Sequence, residues 1–197
     1  DLREIFEQLS RRRRSNTAAW DDLVETIRSL HERQQQAADA TQRLEESLRS
    51  QGRRTGDQVD ELRQLSRRQQ VLRNETTDLS ESLKTAPVFR RVLDEADRRM
   101  AIAGGLLARG STDHRVQEAQ SAALDHLAHA LEALRPNAAD QPRDAGSATG
   151  DPGGDDQAAV EADQAQREAV AQLRLLKSLQ KGLLVRTQRW HERFGEA

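Results

Sequence analysis

His126 and His129 stand three residues apart in a stretch with helical periodicity, and this spacing places both imidazoles on one side of a helix. Such a pair can ligate a transition metal when further side chains complete the coordination sphere. A ferritin-like di-metal site needs Glu-x-x-His on two helices, and a zinc peptidase needs His-Glu-x-x-His; neither pattern occurs. We interpret the two histidines as polar residues at the edge of a helical seam, and we expect no metal and no cofactor.

The segment from Gly105 to Thr112 has the glycine spacing of a phosphate-binding loop. The lysine that should follow the second glycine is replaced by Ser111, and no strand precedes the segment. A helix that stops at Gly110, followed by a new helix capped from Ser111, Thr112 and Asp113, explains the same residues. The sequence therefore predicts a helix cap here.

Catalytic groups are scarce in this chain. It contains no cysteine, which excludes disulfides, thiolate metal sites and cysteine nucleophiles. Acidic residues are plentiful, but they have an arginine one helical turn away, as Glu45 has Arg49, and none lies in the apolar setting that tunes a carboxylate for acid–base chemistry. No constellation joins a nucleophile, a base and an orienting group, so we do not expect an enzyme.

The elements that must position these residues are helices built around one seam. From Trp20 onward, apolar residues recur at alternating steps of three and four, which is the a/d repeat of a coiled coil. The same phase returns after residue 56, with Gln34, Gln69 and Thr76 in polar slots that would set the register at some cost in stability. The predicted interaction seam comprises Trp20, Leu23, Ile27, Leu30, Leu44, Leu48, Leu62, Leu65, Leu72, Leu79, Leu173, Leu176, Leu183 and Trp190.

Composition and charge further limit the class of protein that this chain can be. The chain has 197 residues, 35% hydrophobic and 3% aromatic, so a core must be thin and made from stripes on helices. Its 31 basic and 33 acidic residues give a net charge of −2, which provides no long-range attraction to nucleic acid. No run of eighteen apolar residues occurs, so no membrane-spanning segment is expected.

The helix boundaries follow from glycine, proline and capping residues. We predict long helices over about 17–50 and 57–85, a third from Pro87, a fourth after Asp113, and a last one over about 157–194. Residues 1–10 form either a short separate helix or the start of the first one. Residues 49–56 form either a hairpin turn, with Thr55 and Gln58 as a capping box, or a kinked continuous helix; two glycines favour the hairpin.

Three domain segments are predicted on this basis. Residues 1–135 form coiled-coil hairpins, and residues 157–197 form a C-terminal amphipathic helix that packs on the bundle. Residues 136–156 hold three prolines, four glycines and five aspartates against one arginine, which is typical of a disordered acidic linker.

Two stretches resemble a known group of proteins. They are Arg68–Leu79, leading into Phe89, Met100 and Leu107, and Gln172–Gln180, followed by Arg186-Thr187. Together they look like large, uncharacterised bacterial coiled-coil proteins that are often exported or anchored in the envelope, and the likeness covers about two thirds of the chain. The resemblance implies a cell-envelope or periplasmic setting rather than the cytoplasm, and it implies no catalytic residue.

The predicted fold is an all-α, elongated antiparallel helical bundle of four to five helices with one disordered linker. The predicted function is a non-catalytic scaffold or protein–protein interaction module whose partners are helices of this or another chain, without nucleic acid. The alternative is a membrane-surface protein that uses residues 172–194 as an amphipathic helix together with Arg11–Arg14.

Overall fold

A computed structural model of the chain describes residues 2–51, 54–135 and 156–194, and these residues are almost entirely helical. This part of the chain contains no strand, which confirms the predicted all-α helical bundle. The helices, in chain order, are α1 (Leu2–Gln51), α2 (Gly56–Ser82), α3 (Pro87–Ala108), α4 (His114–Leu134) and α5 (Asp156–Phe194).

The chain divides into two compact units. Unit 1 takes Asp1–Glu25 and Glu132–Ala197, and unit 2 is Thr26–Leu131. The division falls within α1 and within α4. The predicted disordered linker at 136–156 lies outside the described residues, except that Asp156 is the first residue of α5.

The first helix is continuous. Of the two alternatives for residues 1–10, the structure has the one in which α1 runs without a break from Leu2 to Gln51. Ser15, Asn16 and Thr17 are therefore interior residues of a helix, although their side chains suit a helix start.

A hairpin turn separates α1 from α2, as predicted. Thr55 caps α2: its hydroxyl accepts a hydrogen bond from the Gln58 backbone amide (3.3 Å), while the Gln58 side chain accepts one from the Thr55 amide (2.9 Å). This reciprocal pair is the predicted capping box, and it satisfies two amides that the helix leaves free. The Gln58 side chain also donates to Ser47 and Gln51 at 3.0 Å each, which fastens the last turn of α1 to the first turn of α2.

The connection from α2 to α3 is short. The backbone amide of Leu83 donates to the Ser80 carbonyl at 3.2 Å as α2 ends, and Pro87 occupies the first turn of α3, where its missing N–H costs no helical hydrogen bond. Ser80 donates to the Asp94 carboxylate at 2.5 Å, and Thr77 donates to Asp97 at 2.9 Å. Going from Ser80 back to Thr77 on α2, the hydrogen-bond partner on α3 moves forward from Asp94 to Asp97, so the two helices are antiparallel.

All four helices of unit 2 supply its core. One cluster of buried apolar residues combines Ala40 and Leu44 of α1, Leu62 and Leu65 of α2, Ala103 and Leu107 of α3, and Val116 and Ala119 of α4. Several of these residues are alanines, which allow close approach of the helix backbones. Hydrogen bonds between α1 and α2, and between α1 and α4, also join partners of opposite chain direction, so unit 2 is an antiparallel four-helix bundle.

Candidate functional site

The two histidines considered as metal ligands lie on α4 and are half-buried. The Nδ1 atoms of His126 and His129 are buried and have no hydrogen-bond partner in the described part of the chain. Burial lowers the pKa of His126 below its ordinary value, so its imidazole is neutral near pH 7. Within the described ranges, no group of three histidine, aspartate or glutamate side chains converges to hold a metal ion. These two residues therefore form only a pair.

The segment with phosphate-loop spacing is a helix terminus. α3 ends at Ala108, and Gly110 has a φ of 81°, in the left-handed region that glycine adopts without strain. The Gly110 amide donates to the Leu107 carbonyl at 2.8 Å, and the Ser111 amide donates to the Leu106 carbonyl at 3.0 Å. These two bonds form a Schellman motif, which confirms the predicted helix cap. The amides that would bind a phosphate are thus used to close the helix.

A polar cleft of about 310 Å³ lies in unit 2 beside this terminus. Both of its carboxylates have hydrogen-bond donors: Glu45 accepts from the buried Thr112 hydroxyl and from Arg49, and Asp113 accepts from Arg115. The Arg54 guanidinium donates to the Gly110 carbonyl at 2.6 Å. Hydrogen bonding from the Arg115 side chain lowers the pKa of Asp113 to about 2, so this carboxylate stays ionised. The cleft is lined by Glu45, Leu48, Arg49, Arg54, Ser111, Thr112 and Asp113.

The polar slots of the predicted seam form a completely buried layer in unit 2. Gln34 of α1 and Gln69 of α2 exchange two hydrogen bonds, of 2.7 and 3.4 Å between amide nitrogen and amide oxygen. The Gln120 amide of α4 donates to Gln69 at 3.2 Å and to the Thr41 hydroxyl at 3.1 Å. All four side chains are fully buried. The network therefore joins three helices in one register.

The remaining helix of unit 2, α3, approaches the same layer through a glycine, which has no side chain. Gly104 of α3 lies against Gln69, whose Cγ would be 3.5 Å from a Cβ built on this glycine. Ser66 donates a bond of 3.4 Å to the Gly104 carbonyl. One amide acceptor, Oε1 of Gln120, is buried without a partner among the described groups, so the layer is not fully satisfied.

The burial of the predicted seam residues separates them into three groups. Ile27, Leu30, Leu44, Leu62, Leu65 and Leu72 are buried, with 0 to 4% of their surface exposed. Trp20, Leu23, Leu48 and Leu79 are half-buried. Leu173, Leu176 and Leu183 on α5 are 66%, 45% and 61% exposed. The side chain of Trp190 lies outside the described part of the chain.

The sequence predicts that α5 packs through an apolar face in which Leu175 widens the stripe of Leu173, Leu176 and Leu183. Among the described side chains of α5, Ala171 and Leu175 are buried, and they lie on the side of the helix away from that stripe. The Arg174 guanidinium donates to the Arg135 carbonyl at 2.9 Å, one residue beyond the end of α4. A cation at a helix C-terminus is favourable because the last carbonyls there lack intrahelical partners. The stripe of Leu173, Leu176, Leu183 and Leu184, here called the leucine face, is left at the surface.

Two features of this arrangement were missed by the sequence analysis. Gln120 belongs to the buried polar layer, and its position one seam step after Val116 could have indicated this. An apolar stripe predicts burial but does not specify which surface covers it, so the exposure of the leucine face within this chain does not follow from the sequence. Among the described residues, no helix has the length and apolar character needed to cross a membrane.

Comparisons with models of known protein families, with curated proteins and with solved structures find no match to this chain.

Proposed function

We propose that this protein is a non-catalytic interaction module whose helix α5 offers its leucine face to a partner helix. The observation that carries the proposal is the exposure of four leucines, by 45% to 66%, on one side of one helix. Large apolar side chains grouped in this way favour removal from water by a docked surface. In the described part of the chain, no three histidine, aspartate or glutamate side chains converge as metal ligands.

The occupant that this face suits is an amphipathic helix of the type found in unit 2. There, leucine seams are covered by antiparallel helices with leucine at seam positions and glutamine in a polar slot. A helix laid against an apolar helix face makes contacts at three- and four-residue spacing, and Leu173, Leu176, Gln180 and Leu183 follow one another at steps of 3, 4 and 3 residues.

The test uses a synthetic peptide with the α2 sequence, residues 56–83, labelled with a fluorophore and titrated with the full-length protein. Anisotropy should show saturable binding, and Leu176→Asp should weaken it by at least tenfold, about 1.4 kcal/mol. Ile102→Asp is the matched control, because Ile102 is also about half exposed (49%) but lies on α3 of unit 2. Equal binding by both variants, or no binding by the parent protein, would contradict the proposal.

A second candidate function is attachment to an anionic membrane surface. One observation favours it: between Glu168 and Glu192, α5 has five basic residues and no acidic one. Basic side chains beside exposed leucines are typical of interfacial helices. Cosedimentation with vesicles containing phosphatidylserine, lost on raising the salt and lost in Leu176→Asp, would support this candidate, whereas equal sedimentation with neutral vesicles would not.

A further inference from the structure

One seam pattern occurs three times in this chain. The pattern has seven positions, separated by steps of 3, 4, 3, 4, 3 and 4 residues. Their residue types are, in order, apolar, apolar, Gln, apolar, Thr, apolar and apolar. The three copies start at Ile27, Leu62 and Leu173. The glutamine slots are Gln34, Gln69 and Gln180, and the threonine slots are Thr41, Thr76 and Thr187. The three copies lie on α1, α2 and α5.

The threonine slot has the same local structure in all three copies. Thr41, Thr76 and Thr187 each donate the side-chain hydroxyl to the backbone carbonyl four residues earlier, at 2.8, 2.8 and 2.9 Å. This bond satisfies the hydroxyl within its own helix, so the threonine can be buried against a partner without an intermolecular hydrogen bond. The α5 copy is therefore prepared for burial in the same way as the two buried copies.

The first two copies are paired with each other. Gln34 and Gln69 are reciprocally hydrogen-bonded between antiparallel helices, and the apolar positions around them are buried. The third copy is exposed at Leu173, Leu176, Gln180, Leu183 and Thr187. Inside this chain, each buried copy faces the other copy running in the opposite direction, with α3 and α4 completing the cover, and both of these copies are already occupied.

We infer that α5 pairs antiparallel with α5 of a second copy of this chain, with Gln180 opposite Gln180 of the second copy as Gln34 lies opposite Gln69. The inference rests on the proposed function and names its partner. Two antiparallel identical helices are related by a twofold axis, so the contact uses the same patch on both molecules and closes as a dimer. A buried glutamine at this position would fix the register.

The charges of α5 give this pairing a distinctive salt dependence. Antiparallel pairing centred on Gln180 places Lys177 beside Leu184 of the second copy, where the lysine methylenes can cover the leucine while the ammonium group stays in water. The five basic residues between Glu168 and Glu192 nevertheless repel those of the second copy. Screening weakens this repulsion, so dimerisation should strengthen as salt is added. By contrast, added salt would weaken the binding of α5 to an acidic helix or to an anionic membrane.

The first experiment is sedimentation equilibrium of the full-length protein from about 1 μM to about 500 μM, a range suited to a small interface. We expect a monomer–dimer equilibrium whose dissociation constant falls between about 50 mM and about 500 mM NaCl. Leu183→Asp should weaken dimerisation at least tenfold, whereas Ile102→Asp should not change it. A monomer at every concentration and salt would overturn the inference.

Cysteine cross-linking tests the direction of pairing, and the chain contains no natural cysteine to interfere. Gln180→Cys lies at the twofold axis and should form a disulfide-linked dimer under mild oxidation. Thr187→Cys should not, because antiparallel pairing separates the two cysteines by about 20 Å along the helices, well beyond the reach of a disulfide. Equal cross-linking of both variants would exclude the antiparallel register.

The outcomes also separate this inference from the proposed function. A strictly monomeric protein that still binds the α2 peptide through Leu176 would disprove the second copy as the partner and leave the interaction module intact. A monomer that binds neither the peptide nor a second copy would disprove both. Association that weakens with salt, together with binding to phosphatidylserine vesicles, would replace the second copy with a membrane.

Discussion

Gln34 and Gln69 are both fully buried, and their side-chain amides exchange two hydrogen bonds across the interface between α1 and α2. Gln120 joins them from α4. Buried amides stabilise a fold only while they remain paired, because an unpaired amide keeps its cost of desolvation. The layer therefore acts as a unit, and replacing all of its glutamines should cost less stability than replacing one.

The first prediction concerns this layer. Gln69→Leu leaves the amides of Gln34 and Gln120 without their shared partner and should lower the free energy of unfolding by about 1–3 kcal/mol. Replacing all three glutamines by leucine removes the unpaired groups and should recover most of that loss. Urea unfolding followed by circular dichroism measures both. If the triple variant is destabilised by the sum of three single effects, the glutamines do not act together.

The second prediction compares three glycines. A Cβ at Gly104 would meet Gln69 at an ordinary contact distance, and one at Gly105 would meet nothing within 4 Å. Each glycine-to-alanine change should therefore stabilise α3, by roughly 0.5–1 kcal/mol.

Gly110→Ala is the matched control for these two changes. At a φ of 81°, alanine is strained, and its Cβ would lie 2.7 Å from the Arg54 guanidinium, which would have to move. This variant should lose about 1–2 kcal/mol. Thermal unfolding of the three variants checks the order, and a stabilised Gly110→Ala protein would contradict the assigned cap.

The third prediction concerns pH and His126. Burial lowers the pKa of this imidazole, with His129 and Arg99 acting in the same direction and the carboxylates of Glu95 and Asp125 opposing them. The unfolded chain therefore binds a proton that the folded chain does not, in the window between the lowered pKa and about 6.5. Stability should fall as the pH is lowered through this window.

Urea midpoints at a series of pH values between 7.5 and 5 measure this effect. His126→Gln should flatten the dependence over that range, and His114→Gln, at an exposed histidine at the start of α4, should keep it. An unchanged slope in His126→Gln would show that another group is responsible.

The fourth prediction concerns the ion pair between Arg33 of α1 and Glu75 of α2. Two hydrogen bonds, of 2.5 and 2.9 Å, join the guanidinium to the carboxylate, and each side chain is about 40% exposed. Hydrogen bonding from Arg33 lowers the pKa of Glu75. The pair's contribution should be present above the ordinary pKa of a glutamate and be lost as the pH falls through the lowered value.

Because water screens this pair, a double-mutant cycle with Arg33→Gln and Glu75→Gln should give a coupling of only about 0.5–1 kcal/mol, smaller at high salt. A coupling that does not change between low and high salt would indicate packing of the long side chains rather than charge.

Local signals were sufficient to predict much of this fold. The capping box at Thr55 and Gln58, the helix start at Pro87 and the stop at Gly110 each depend on a few neighbouring residues, and all three are present. The sequence does not decide whether α1 is continuous, because Ser15 and Asn16 offer a good helix start whether or not the chain uses it.

Relationships between helices were harder to predict. Gln34 and Gln69 were recognised as polar slots, but their mutual pairing requires the register of two helices, which no single helix contains. On α5, periodicity located the leucine stripe but could not decide which side would be packed. The described buried side chains of α5, Ala171 and Leu175, lie on the side away from that stripe.

The short connection between α2 and α3 also bears on how unit 2 acquires its structure. Residues 83–86 separate two antiparallel helices that hold together through Ser80, Thr77 and Arg73 on one side and Asp94 and Asp97 on the other. Closing so small a loop costs little chain entropy, so these contacts are available before more distant ones. We expect this hairpin to nucleate folding, with α1 and α4 condensing onto it, and refolding on the microsecond-to-millisecond scale of locally connected helical proteins.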